Sequence, residues 1–346
     1  MSVAEDVRAR AKIAPKYEPA VKFSTRRPGH ANIFISDLDK SYAFYNGVCG
    51  FEGVGFERSI KAGFVSNGNT HHDFGLVQAS FQPRIGKDGK QQSINNYVGK
   101  PGLNHIGWET VNQKQLVEAY NRGVKAGIEF KQVLHHGGSW AIYLYDPDGT
   151  VHEFYADTTK DWRQYLTGAH DLGLITSQWD PNVGTPIEDH NWIDNPEYRH
   201  VEGAPIRPIR VARTVFMVSN VDNLMPFYRD VAGLDLLYMA PDKSYAYLRG
   251  SAKQTSFDIC LVRNDVGADL GYHHIACEMP NEKAIAEAEA SLAKAGIPIL
   301  QKVDDGRKRS FFLEDPDKLK VEFFVERKPD FAALAKVKTE LRPLFA

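Results

Sequence analysis

His30, His105 and Glu153 are the residues of this chain best suited to act together. Two imidazoles and a carboxylate form the ligand set of mononuclear non-haem Fe(II) sites, which keep further positions open for substrate and O₂. Each residue alone is most often an ordinary polar group on a strand. The set becomes informative because the chain is built twice. LNHIGWE (103–109) matches YHHIACE (272–278), and DPDGTVHEFY (146–155) matches DPDKLKVEFF (315–324), both at an offset of 169 residues. NIFISDLDKSYAFY (32–45) likewise matches VFMVSNVDNLMPFY (215–228). These matches set His30, His105 and Glu153 opposite Arg213, His274 and Glu322. The second copy has lost one ligand to a permanent cation, so it serves as an internal control.

The control also reaches the residues around the ligands. His72 stands opposite Phe257, Tyr143 opposite Phe312, Asn32 opposite Val215, and His135 and His136 opposite Asp304 and Asp305. A purely structural role would call for similar residues in both copies, as seen for DPD, FY and the core aliphatics. These five polar residues are therefore candidates for proton transfer and substrate contact.

The elements that must position them follow from periodicity. Residues 30–36 alternate as a strand, and Asp37 can cap a helix running through Tyr45. Short strands are expected near 55–65 and 71–79. A strand through His105 is followed by an amphipathic helix over 112–126 and closing strands over 139–145 and 150–156, joined at a DPDG turn. Each ligand candidate thus falls on a strand, where alternation sends its side chain to a fixed face. Residues 80–102 read as a loop. Asp73 matches Asp258 at an offset of 185, so this loop holds 16 residues more than its counterpart and is expected to form a lid or substrate wall. The expected organisation is an arm over 1–26, a metal-bearing module over 27–157, an irregular wrapping connection over 158–208, a second module over 209–327 and a tail over 328–346 that can form a short helix. The Ala-rich helix 281–295 should stop at Gly296.

Composition sets the bounds. With 346 residues, 42% hydrophobic and 25% charged, the chain can bury a large core. A net charge of −2 argues against a nucleic-acid partner or a membrane surface. Three cysteines without CxxC spacing argue against a disulfide framework or zinc knuckle. No apolar run suggests a signal peptide or membrane span, so the expected location is cytoplasmic. The long connection and terminal arms point to self-association as a homo-oligomer.

On HANIFISDLD, HHDFGLV, LNHIGWE, HHGGSWAIYLYDPDG and VHEFY, the chain resembles the vicinal oxygen chelate superfamily, and within it the type I extradiol ring-cleaving dioxygenases. The resemblance covers about 27–157 and 209–327. It implies an α+β fold of two tandem modules, each of paired βαβββ units forming a cupped mixed sheet. It also implies Fe(II), or Mn(II), held by His30, His105 and Glu153, with O₂ as co-substrate. His72 would be the acid/base residue and Tyr143 the donor to a substrate oxygen. Either His135 or His136 would match the family's supporting histidine, and Asn32 fits two residues after the first ligand. One departure is that two-module extradiol enzymes usually carry the metal in the C-terminal module, and here it falls in the N-terminal one.

The expected reaction is cleavage of a catechol-like ring whose two oxygens bind the metal. Phe74, Trp108, Trp140 and Tyr155 are candidate pocket walls, with core packing the commoner role for any one of them, and Lys131 or a cation from 80–102 is a candidate partner for a substrate carboxylate. A non-redox isomerase, lyase or epimerase of the same superfamily is the main alternative, and a small-molecule binding or sequestering protein a further one. The polar ring around the ligands disfavours both. The repeat makes its own prediction. His105→Ala should abolish metal binding and His274→Ala should leave metal content intact. Equal loss in both, by elemental analysis of purified protein, would sink the single-site reading.

Overall fold

A computed structural model describes residues 20–79, 99–160, 162–165 and 177–346. The expected loop and lid over 80–102 and the arm over 1–26 fall largely outside the described residues, as does part of the connection.

Each half is two βαβββ units set side by side. The first unit runs β1 (Thr25–Ile35), a helical turn Leu38–Tyr42 that continues as a π turn Ala43–Val48, β2 (Glu52–Glu57), β3 (Ala62–Ser66) and β4 (Phe74–Gln78). The second runs β5 (Gly102–Thr110), helix Gln113–Lys125, β6 (Gln132–His135), β7 (Ser139–Tyr145) and β8 (Val151–Asp157). The helices begin where the sequence places short polar acceptors. Asp37 Oδ1 takes Lys40 N at 3.1 Å, and Asn112 Oδ1 takes Gln115 N at 2.9 Å. The strands order as β2-β3-β4-β1-β5-β8-β7-β6, extended at one edge by β9 (Ser177–Gln178). β1 pairs parallel with β4 and β5 parallel with β8, and β1 meets β5 antiparallel at the centre. The sheet is therefore mixed and curls into a cup.

The second half repeats this with β10 (Arg210–Val218), β11 (Asp235–Met239), β12 (Tyr245–Arg249), β13 (Ile259–Arg263), β14 (Gly271–Glu278), β15 (Gln301–Asp304), β16 (Lys308–Glu314) and β17 (Lys320–Glu326), in the order β11-β12-β13-β10-β14-β17-β16-β15. Strands β6 and β9 were not foreseen from the sequence. Gln132–His135 is short and half-buried, so it lacks a strong alternation. The expected strand over 55–65 is two strands separated by a 3-10 turn at Arg58–Ile60.

The sheets turn their convex faces towards each other. Ile33, Trp108 and Phe154 of the first half and Phe216, Ile275 and Phe323 of the second belong to one continuous apolar cluster. Two pairs of contacts tie the halves with approximate twofold symmetry. The segment before β1 runs along the second half's helix end, with Lys22 N and Phe23 N donating to Asp230 O and Val231 O at 2.8 Å. The segment before β10 does the same on the first half, with Val201 N on Gly50 O at 3.0 Å and Ile206 N on Val48 O at 3.2 Å. Each DPD turn docks on the opposite half. Ser36 N donates to Asp317 Oδ2 at 2.9 Å and Ser219 N to Asp148 Oδ2 at 2.7 Å, while Tyr45 and Tyr228 donate to Asp315 and Asp146. This accounts for DPD and FY being kept in both copies: each pair is half of a clasp.

The clasps leave no room at two glycines. Gly50 has φ +79 with Ile206 O 2.2 Å from where a Cβ would sit, and Gly233 has φ +75 with Phe23 O at 2.0 Å. Gly50→Ala or Gly233→Ala should each lower stability by about 1–3 kcal/mol, read as a fall in thermal midpoint. No change in either would argue that the straps are not held tightly.

Candidate metal centre

Three adjacent strands bring His30, His105 and Glu153 to one point in the first cup. Gly107 of β5 pairs with His30 of β1 on one side and with Glu153 of β8 on the other. His105 lies two residues earlier on the same face of β5. The register of β1 shifts between Pro28 and His30, which re-aims His30 over the cup. A Cβ at residue 107 would come within 2.1 Å of His30 Nε2. Glycine therefore makes the convergence possible; the second half has Ala276 here, opposite Arg213. Sequence reading missed Gly107, although the change from LNHIGWE to YHHIACE carried the signal.

Glu153 Oε2 lies 2.8 Å from both His30 Nε2 and His105 Nε2, and all three side chains are buried. Burial alone would raise the Glu153 carboxyl, but the imidazoles outweigh it and hold it well below the usual range. Burial pushes His30 down to about 4, only partly opposed by Glu153. His105 Nδ1 contacts Asn104 Oδ1 at 3.2 Å, and an amide oxygen can only accept. His105 Nε2 has no aligned hydrogen-bond partner. Two imidazole nitrogens and a carboxylate oxygen thus meet at one buried point, and this donor set fits a metal ion.

Two polar pairs flank the triad. His72 Nε2 contacts Asn32 Oδ1 at 2.9 Å, and its ring lies 4.1 Å from that of His30 and 5.1 Å from Phe64. Burial holds His72 well below its ordinary value. On the other side His136 Nε2 lies 2.9 Å from the Tyr143 hydroxyl, whose ring is 5.3 Å from His105. Burial, then the nearby Glu153 charge, raises the Tyr143 phenol well above 10, and burial lowers His136 to about 4. The structure separates the two histidines that spacing could not. His136 turns into the cup, and His135 stacks on Trp140 at 5.6 Å.

Three expected pocket walls are corrected. Trp108, Phe74 and Trp140 point to the convex face, because alternation puts them out of phase with the residues lining the cup. Trp108 and Phe74 are fully buried in the shared core, Trp140 packs against it, and Trp108 Nε1 donates to His152 Nδ1 at 2.9 Å. Lys131 stands at the start of β6 with its ammonium 5.9 Å from the Tyr145 ring, two residues beyond Tyr143. Tyr155 does lie in the cup, its ring 5.0 Å from His30.

Sequence reading also missed His71 and Asp157, which face each other at 2.8 Å beside Tyr155. Burial opposes protonation of His71, but the Asp157 carboxylate outweighs it and raises its pKa. His30, His71 and His72 form a second close group of ligand atoms. Of the two groups only the one with Glu153 supplies a carboxylate, and Asn32 already engages His72, which makes the Glu153 set the better metal cradle.

The second cup has closed the same space. Lys308 Nζ lies 2.6 Å from Glu322 Oε1, and His274 Nε2 lies 3.3 Å from Glu322 Oε2. Arg213 is stacked 3.7 Å from Phe324 and 4.3 Å from Phe257. Leu334 and Ala346, with Phe331 and Phe345, pack into this cup as well. Here the carboxylate has a cation from the chain.

Comparison with known proteins agrees with this architecture. The profile of the Glyoxalase/Bleomycin resistance protein/Dioxygenase superfamily matches residues 27–154 and 210–323. The Mn(II)-bound glyoxalase from Novosphingobium aromaticivorans superposes with a TM-score of 0.61 at 16% identity, over 88% of this chain and 84% of that one. The anaerobic 3,4-dihydroxyphenylacetate complex of homoprotocatechuate 2,3-dioxygenase from Brevibacterium fuscum gives 0.63 at 14% identity, over 91% and 84%. Catechol-2,3-dioxygenase of Bacillus subtilis (strain 168) is 46% identical over 48 residues, which is 14% of this chain and 17% of that relative's length. The structural likenesses establish the fold, and the last covers too little of its relative to transfer an activity.

Gly107→Ala tests the geometry directly. The added methyl should displace His30 and weaken metal affinity about 10–100-fold with little loss of folded protein. Unchanged affinity by titration with Mn(II) would overturn the convergence over Gly107.

Proposed function

The chain belongs to the Glyoxalase/Bleomycin resistance protein/Dioxygenase superfamily, and on that premise we propose that its first cup is an extradiol dioxygenase site for a small aromatic diol. The observation that carries this reading is the flanking of one buried His30–His105–Glu153 cradle by His72–Asn32 on one side and Tyr143–His136 on the other. Fe(II), or Mn(II), held there would act as a Lewis acid with open positions for both diol oxygens and for O₂.

The chain's own groups supply binding and proton transfer. His72 donates its Nε2–H in a hydrogen bond to Asn32 Oδ1, which leaves Nδ1 as the basic atom of a ring that burial keeps neutral. That atom takes a proton from a substrate hydroxyl and later returns it. Tyr143, kept protonated, donates its hydroxyl hydrogen to a substrate oxygen, and His136 steadies the phenol from behind. The apolar cluster of Phe34, Phe64, Val77 and Trp162 lies on the His72 side of the cup and suits a flat ring. The three other candidates on the convex face or at the strand edge, His135, Trp140 and Lys131, have no part in this reading.

The test starts anaerobically. The protein is loaded with Fe(II), mixed with a panel of catechols, and exposed to air while the ultraviolet-visible spectrum and O₂ are followed. A yellow ring-opened product with matching O₂ consumption is expected, falling about 10²–10⁴-fold in His72→Ala. One equivalent of bound metal with no O₂ uptake for any diol would overturn the reading in favour of a non-redox reaction at the same ligands.

A further inference from the structure

Tyr228, which belongs to the second half, ends against the back of the strands that carry the first half's ligands. Its hydroxyl donates to Asp146 Oδ2 at 2.8 Å and lies 3.3 Å from His152 Nε2. His152 is fully buried and takes Trp108 Nε1–H on Nδ1 at 2.9 Å. The indole can only donate, so His152 Nδ1 is the acceptor and the ring's proton sits on Nε2. The hydrogens then run in one direction: from Trp108 to His152, from His152 to the Tyr228 oxygen, and from Tyr228 to Asp146. Every member is satisfied, and such a chain is stiffer than its separate bonds. Asp146 Oδ1 meanwhile holds the turn through Asp148 N at 3.0 Å and Thr150 N at 2.8 Å.

The position of this chain matters more than its strength. His152 precedes Glu153 on β8 and pairs with Ile106, which follows His105 on β5. The Trp108–His152 bond therefore cross-links the two ligand strands on the face opposite the ligands. The second half supplies a control. Tyr45 and Asp315 repeat the Tyr228–Asp146 bond at 3.2 Å. Where the first half has Trp108 and His152, however, the second has Cys277 and Val321. The clasp is common to both halves, and its extension to the ligand strands occurs only behind the Glu153 cradle.

We propose that Tyr228, His152 and Trp108 are positioning residues through which the second half sets the spacing of His105 and Glu153. This rests on the metal-site reading above. Its test uses full-length protein and Mn(II) alone, with affinity measured by calorimetry and the thermal midpoint Tm by scanning. Tyr228→Phe and Tyr45→Phe each remove one inter-half hydrogen bond, so their losses in Tm should be similar. Tyr228→Phe should weaken Mn(II) binding about tenfold, and Tyr45→Phe should leave it unchanged. His152→Val, which installs the second half's residue, should weaken binding at least as much as Tyr228→Phe. Equal affinities in Tyr228→Phe and Tyr45→Phe, with wild type binding one Mn(II), would overturn the positioning role alone. A wild type that binds no Mn(II) would overturn the metal site first and the positioning role with it.

Discussion

The buried Glu153 carboxylate is the constraint around which the first cup is arranged. A charge that far from water must be neutralised, and the groups nearest to it are the imidazoles of His105 and of His30, the latter pushed down by burial. The cup therefore brings a carboxylate and two imidazole nitrogens to one point, and among the described residues no Lys or Arg pairs with Glu153. The second cup faces the same problem at Glu322 and solves it with Lys308. Lys308 stands where the first half has Ser139, and Arg213 where it has His30. Ser139 brings no charge to Glu153, whereas the Lys308 ammonium pairs with Glu322.

The rest of the molecule serves to hold three strands in register. Gly107 lets His30 cross β5, and the bulge before His30 aims it. The reciprocal docking of DPD turns onto opposite halves joins the two sheets back to back, so that each half completes the other's turn. In this arrangement the second half is the surface on which β1, β5 and β8 pack.

Much of this was legible in the chain itself, for identifiable reasons. A tandem repeat aligns positions without knowledge of the fold, and strand alternation then assigns side chains to faces. That was enough to gather His30, His105 and Glu153 as one candidate set and to separate residues specific to one copy from those common to both. Residue type alone makes Trp108, Phe74 and Trp140 candidates for either a pocket wall or the core, and strand phase decides between the two. Each is one step out of phase with a cup residue and packs in the core.

What the sequence determined by itself was the duplicated architecture, the class of fold and the donor atoms available to one site, because these depend on local pattern and residue type. Tertiary structure decided what depends on through-space distance between segments far apart in the chain. It turned His136 onto Tyr143 and His135 onto Trp140, since two neighbours on a strand end face opposite ways. It placed Lys308 on Glu322 and Tyr228 behind His152. It also made a glycine the centre of the ligand set, because the room for two side chains to meet is a property of the packed sheet and not of any segment read alone.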